Sequence, residues 1–128
     1  MKNRIYLAGG FRGEWQEYII EKLGSEFEIF NPKKHELESV KMYTTWDLFH
    51  VDKCDILFGY MKADNPSGYG LALEIGYAKA KNKLIILIDE RSKNDPDFKK
   101  YFAICQESSS LIFQSIDEAI IYLKLFIR

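Results

Sequence analysis

Glu74 is the residue whose type and setting most invite chemistry. It lies three positions after Leu71 and four before Ala78, so on a helix it shares a side with apolar residues. A carboxylate there is costly to bury unless it is paired or used. Burial disfavours its charged form, while a nearby helix N-terminus favours the anion. A carboxylate balanced in that way within a crevice is a candidate nucleophile. Spacing alone leaves a salt bridge to a lysine open as the other reading. Asp47 stands four residues before Val51, again on a semi-apolar helix side. Two carboxylates meeting across a crevice are the usual equipment of glycosidic chemistry. Tyr6, inside an apolar run, is a core aromatic by type, yet its hydroxyl reaches Glu74 if it points to the crevice mouth. Asp55 directly precedes another apolar run, where an acid more often caps or pairs than reacts.

Glycines mark two places where a ligand can approach backbone. Gly9, Gly10 and Gly13 follow the first apolar run; they permit tight turns and close contact. The segment is one residue away from a dinucleotide fingerprint, but Asn31 stands where that fingerprint wants an acid, and no P-loop Lys-Ser/Thr pair is present. Gly68 and Gly70 open the helix that carries Glu74. Backbone N–H groups at such an end suit an anion such as a phosphate, and Ser67 adds a hydroxyl. An ordinary capped turn explains the same residues. Phe11, Trp15 and Trp46 flank the crevice and are candidates for stacking on a nucleobase, with core packing as the competing role. His35 and His50 lack metal-ligand spacing and read as surface or loop residues, so no metal site is expected. Cys54 and Cys105 are far apart and read as reduced, buried thiols.

The elements that must position these residues alternate along the chain. Ile5–Ala8, Phe27–Phe30, Ile56–Tyr60, Leu84–Ile88 and Leu111–Phe113 read as strands. Trp15, Tyr18, Ile19 and Leu23 recur at helical spacing, ended by Gly24. Lys33–Tyr43 is polar and reads as a loop, after which Thr44 or Thr45 caps a helix running to about Lys53. Another helix spans about Leu71–Lys81. Asp95 and Pro96 start a helix whose buried stripe is Phe98, Tyr101, Phe102 and Cys105. Ser115 and Glu118 form a capping box for the last helix, buried through Ile116, Ala119, Ile120, Leu123 and Ile127. Strands separated by helices predict parallel pairing with right-handed crossovers. Strands apolar on both faces predict helices on both sides of the sheet. The expected fold is a three-layer, flavodoxin/Rossmann-like α/β sandwich in the order 2-1-3-4-5. Its ligand crevice lies at the carboxyl ends of strands 1 and 3, where the order reverses.

Bulk properties bound the rest. A chain of 128 residues fits one domain, 1–128. The 18 basic and 19 acidic side chains leave a net charge of −1, too little positive charge for a nucleic-acid partner. Lys79, Lys81 and Lys83 read as a solvated helix end. No signal segment or span of about 20 apolar residues is evident, so a cytoplasmic protein without membrane association is expected.

Three segments together resemble the nucleoside 2-deoxyribosyltransferase-like family: Ile5-Tyr6-Leu7-Ala8-Gly9-Gly10; Asp47 followed by Cys54-Asp55-Ile56-Leu57-Phe58-Gly59-Tyr60; and Ser67-Gly68-Tyr69-Gly70-Leu71-Ala72-Leu73-Glu74-Ile75-Gly76-Tyr77-Ala78. The resemblance runs from residue 5 to about residue 90 and is carried by order and spacing. It implies cleavage of an N-glycosidic bond with no cofactor or metal. By position Glu74 matches the family nucleophile, Tyr6 the tyrosine that orients it, and Asp47 an aspartate near the leaving base and sugar. It implies a small nucleoside or nucleotide substrate and a homodimer or larger homo-oligomer with shared sites. Three departures matter. The transferase branch has another acid just before the nucleophile's helix, where this chain has Ser67 and Gly68. The branch that hydrolyses deoxynucleoside 5′-monophosphates holds the phosphate with serine there, and Ser67 is offset by about one residue. Transferases also complete a neighbour's site with a carboxy-terminal tail; here Lys99–Ser110, with Ser108, Ser109 and Ser110, is the expected contributor in trans.

Overall fold

Five strands form one parallel sheet in the order β2-β1-β3-β4-β5. The strands are β1 (Arg4–Gly9), β2 (Glu28–Phe30), β3 (Ile56–Met61), β4 (Leu84–Asp89) and β5 (Leu111–Phe113). The computed structural model describes residues 2–66 and 68–127; Ser67, expected at a phosphate, lies outside them. The helices are α1 (Trp15–Leu23), α2 (Val40–Lys53), α3 (Tyr69–Ala80), α4 (Pro96–Tyr101), α5 (Ala103–Ser108) and α6 (Ile116–Leu123).

The two-residue period of a strand divides the core into two layers. Ile5 and Leu7 of β1, Ile56, Phe58 and Tyr60 of β3, and Ile86 and Ile88 of β4 face α1 and α6. They pack on Trp15, Ile19, Leu23, Ala119, Ile120 and Leu123. Tyr6 and Ala8, Leu57 and Met61, and Ile85 and Leu87 face the other way, onto Val51 of α2, Leu71, Ile75 and Ala78 of α3, and Cys105 of α5. Each large apolar side chain so buried contributes roughly 1.5–3 kcal/mol. Cys54 and Cys105 are buried and free. No helix among the described residues is long and apolar enough to cross a membrane.

Three expectations about elements are corrected. Helix α2 begins at Val40, four residues before Thr44, because the Ser39 hydroxyl accepts the Met42 N–H at 3.3 Å. The Asp95 helix starts as expected, its carboxylate accepting the Phe98 N–H, but it breaks at Phe102 (φ −105°, ψ 15°) into α4 and α5. The break turns Tyr101 outward, 75% exposed, so it is not part of the buried stripe. The last helix ends at Leu123 and continues as a 3-10 turn over Lys124–Ile127, leaving Ile127 exposed. Half of the expected capping box forms: the Ser115 hydroxyl accepts the Glu118 N–H, while the Glu118 carboxylate accepts from the Ser115 hydroxyl instead of its backbone N–H.

Candidate active site

Tyr6 and Glu74 meet on the α2–α3 side of the sheet. Tyr6 is fully buried, held by its place inside β1, and its hydroxyl donates to Glu74 Oε2 at 2.5 Å. Glu74 sits beside the stripe of Leu71, Ile75 and Ala78 that anchors α3 to the sheet. Its residue is half-buried, and the carboxylate is its more deeply set end. Burial is the largest influence and pushes its pKa up to about 7; the Tyr6 hydrogen bond pulls it down and the Asp47 charge adds to the rise. Burial, then the Glu74 charge, holds the Tyr6 phenol far above its ordinary value. The phenol therefore stays a proton donor. It occupies one carboxylate oxygen, and Oε1 has no protein partner within hydrogen-bond reach among the described residues.

Asp47, in the middle of α2, lies near enough for its charge to act on Glu74. Burial raises its pKa above the ordinary carboxylate value, opposed by a hydrogen bond from His35. That bond, His35 Nε2 to Asp47 Oδ1, is 3.2 Å. Of the two histidines expected at the surface or in a loop, His35 lies in the loop after Lys34 with its side chain only 10% exposed, whereas His50 is on α2 and half-buried. Trp46 lies edge-on to His35 at 4.8 Å and stacks on His50 at 3.8 Å, and the His50 ring also meets Phe30. Trp46 and both histidines thus form an aromatic wall beside Asp47. Asp55 is at the opposite, amino end of β3, where it accepts the Arg4 N–H at 2.7 Å and pairs with its guanidinium.

The loop after β1 closes the carboxyl end of the sheet. Gly9 has φ +152°, and a Cβ there would lie 2.9 Å from the Tyr60 carbonyl oxygen, so only glycine fits. Gly10 packs against the Asn65 side chain. Its carbonyl accepts from the Trp15 indole at 2.9 Å and the Gln16 amide at 3.1 Å. Trp15 is 7% exposed and packs on Phe58 and Tyr60 in the α1–α6 layer. Of the two roles open to Trp15, core packing is the one seen: the indole packs in the α1–α6 layer and holds the glycine loop. Phe11 is 51% exposed on that loop. Gly68 and Gly70 leave open space at the start of α3, since a Cβ on either meets nothing within 4 Å, and Gly68 supplies no side-chain cap.

Another polar cluster lies at the ends of β4 and β5, around a cavity of about 590 Å³ lined by Asp89, Ser92, Lys93, Gln106 and Gln114. Asp89 is buried there but accepts from the Arg91 and Ser92 N–H groups, the Ser92 hydroxyl and the Gln106 amide. Its partners account for it as the organiser of a turn. Among the described residues no group of three or more His, Cys, Asp or Glu side chains is placed to hold a metal.

No curated protein matches the chain. Solved structures match its fold. A conserved protein from Enterococcus faecalis V583 superposes with a TM-score of 0.74 at 18% identity, over 98% of this chain and 99% of that one. The CMP N-glycosidase of Clostridium botulinum gives 0.66 at 23% identity over 96% and 99%. The 2-desoxiribosyltransferase from Leishmania mexicana gives 0.59 at 18% over 69% and 65%. The family described as "Nucleoside 2-deoxyribosyltransferase like" matches residues 2–92, which include β1, α2, β3 and α3 with Tyr6, Asp47 and Glu74. Sequence and fold agree on one assignment: this chain belongs to the nucleoside 2-deoxyribosyltransferase-like family.

Proposed function

We propose that the protein is an enzyme that cleaves the N-glycosidic bond of a 2′-deoxynucleoside or its 5′-monophosphate and transfers the deoxyribosyl group to another base. The observation that carries this reading is the Tyr6 hydroxyl on Glu74 Oε2. It aims a desolvated carboxylate while leaving Oε1 free to react. Glu74 Oε1 attacks C1′, forming a C1′–O bond as the C1′–N bond breaks. The bonding pair leaves with the base, which takes a proton from Asp47 or through water. Burial moves the Asp47 pKa upward, the direction a proton donor needs. The transition state resembles an oxocarbenium ion, stabilised by the flanking carboxylates. The nitrogen of a second base then attacks C1′ of the glycosyl ester as the C1′–O bond to Glu74 breaks, its N–H proton passing to Asp47 directly or through water and Glu74 returning to the carboxylate. Two displacements at one carbon retain configuration. The loop at Gly9, Gly10 and Phe11 and the open helix start at Gly68 and Gly70 are the proposed substrate contacts.

Hydrolysis of a deoxynucleoside 5′-monophosphate is the second reading, with water as acceptor. It is supported by the end-to-end fold match to a CMP N-glycosidase, against the partial overlap with the Leishmania transferase. Incubation with deoxynucleosides and a free base, followed by chromatography, separates the two. Base exchange supports transfer. Free base released only from monophosphates supports hydrolysis. Turnover of neither, by folded protein, overturns both. A third outcome, ligand-induced thermal stabilisation that survives Glu74→Ala without any product, identifies a nucleotide-binding module instead.

A further inference from the structure

We propose that His35 is a positioning residue that sets the proton and the orientation of Asp47. The inference rests on the glycosyl chemistry above and assigns one further group to it. Two bonds define the imidazole. The Leu37 N–H donates to His35 Nδ1 at 3.0 Å, so Nδ1 carries a lone pair and the ring proton sits on Nε2. Nε2, 3.2 Å from Asp47 Oδ1, is then the donor in that contact. The pair is a neutral imidazole donating to a carboxyl oxygen, and no charged histidine is required. Trp46, edge-on to the ring at 4.8 Å, keeps the imidazole from turning.

The arrangement divides the two oxygens of Asp47. Oδ1 is held by His35, and no other hydrogen bond to Asp47 is present among the described residues. Any proton on the acid is therefore directed to Oδ2, the oxygen left for the leaving base. The same bond opposes the rise in Asp47 pKa that burial causes, so His35 sets how readily the acid holds its proton. Without His35, Asp47 would keep its place on α2 but lose both its orientation and this restraint.

The test separates the bond to Asp47 from the bond to the loop. Asparagine at position 35 places an oxygen near the position of Nδ1, keeping the Leu37 contact and losing the donor to Asp47. Glutamine places an amide nitrogen near the position of Nε2 and keeps that donor. His35→Asn is expected to lower kcat on the order of tenfold, the loss of one hydrogen bond to a charged group, with KM little changed. His35→Gln is expected to recover most of it. In an Asp47→Ala background, His35→Asn should cost nothing further. Wild-type kcat in His35→Asn, or an equal loss with and without Asp47, overturns the proposal. Nitrogen-15 NMR of the substrate-free protein gives a readout independent of turnover. It should show His35 protonated on Nε2, with that proton's hydrogen-bonded shift lost in Asp47→Ala; an Nδ1–H tautomer also overturns the proposal. If the wild type turns over no nucleoside, the glycosyl reading fails, and the NMR result alone then decides whether His35 orients Asp47.

Discussion

A carboxylate with a pKa near 7 makes activity and stability pull against each other at one residue. In the proposed reaction Glu74 must be ionised to attack C1′, so kcat/KM is expected to fall on the acid side with a midpoint near its pKa of about 7. The causes of the shift predict how that limb moves. Tyr6→Phe removes the hydrogen bond that lowers the Glu74 pKa, so the limb should move to higher pH. Its rate at the plateau should fall on the order of tenfold or more. Asp47→Asn removes a charge that raises the Glu74 pKa and should move the limb to lower pH. A pH–rate series on the three proteins checks both directions. The stability consequence has the opposite sign from a salt-bridged acid. A raised folded-state pKa contributes stability below the unfolded value of 4.5, and this is lost as pH climbs through about 7. At about pH 8 the buried anion therefore costs the fold about 1–3 kcal/mol, discounted for the partial exposure of the residue. Glu74→Gln should abolish turnover yet raise Tm by several degrees at about pH 8, with little gain at about pH 4. Thermal melts at the two pH values read this directly, and an unchanged Tm at the higher pH would show that the acid is not desolvated.

At the scale of the element, the loop after β1 is the tightest piece of the site. Gly9→Ala puts a methyl 2.9 Å from the Tyr60 carbonyl oxygen at φ +152°. It is expected to cost about 1–3 kcal/mol, seen as a lower denaturant midpoint, and to shift the Gly10 carbonyl that Trp15 and Gln16 hold. The glycines at 9 and 10, the strand runs and the burial of Glu74 beside Leu71 were all legible in the sequence, because each follows from local period or from a residue type with few alternatives. The start of α2 was not. Val40 and Met42 are 65% and 57% exposed, so the first turn carries no apolar stripe, and the Ser39 cap is lost among polar neighbours. The break at Phe102 has no glycine or proline to announce it. His35 escaped for a different reason. It meets Asp47 across twelve residues, brought back by the turn over Pro32–Lys34 and the Leu37 bond, and no helical or strand period links such positions. Spacing leaves Trp15 open between core and crevice, because the layer it joins depends on the direction in which α1 packs.

At the scale of the whole molecule, the strand order does the positioning. The order in which strands are added reverses between β1 and β3, and the crossover helices α2 and α3 pack on the same side of the sheet. The proposed nucleophile from one, the proposed acid from the other and a tyrosine from the strand beneath them converge without belonging to any contiguous motif. The same side of the molecule remains unusually apolar on its outside. Val40, Met42 and Phe49 of α2 and Tyr69 and Leu73 of α3 are all exposed, and Leu37, Trp46 and Phe49 line a cavity of about 450 Å³ with little polar surface. Exposed apolar groups in that number are uncommon on a surface that faces only water. Together with the shared sites the family resemblance implies, they favour self-association. The expected result is a particle of two or more 15.0 kDa chains in sedimentation at micromolar concentration. If neighbouring chains complete each other's sites, dilution should lower the specific activity in parallel with the loss of that particle, because both follow one association equilibrium. A monomer at working concentration would remove the shared-site model, while activity that ignores dissociation would show that each chain carries a complete site of its own.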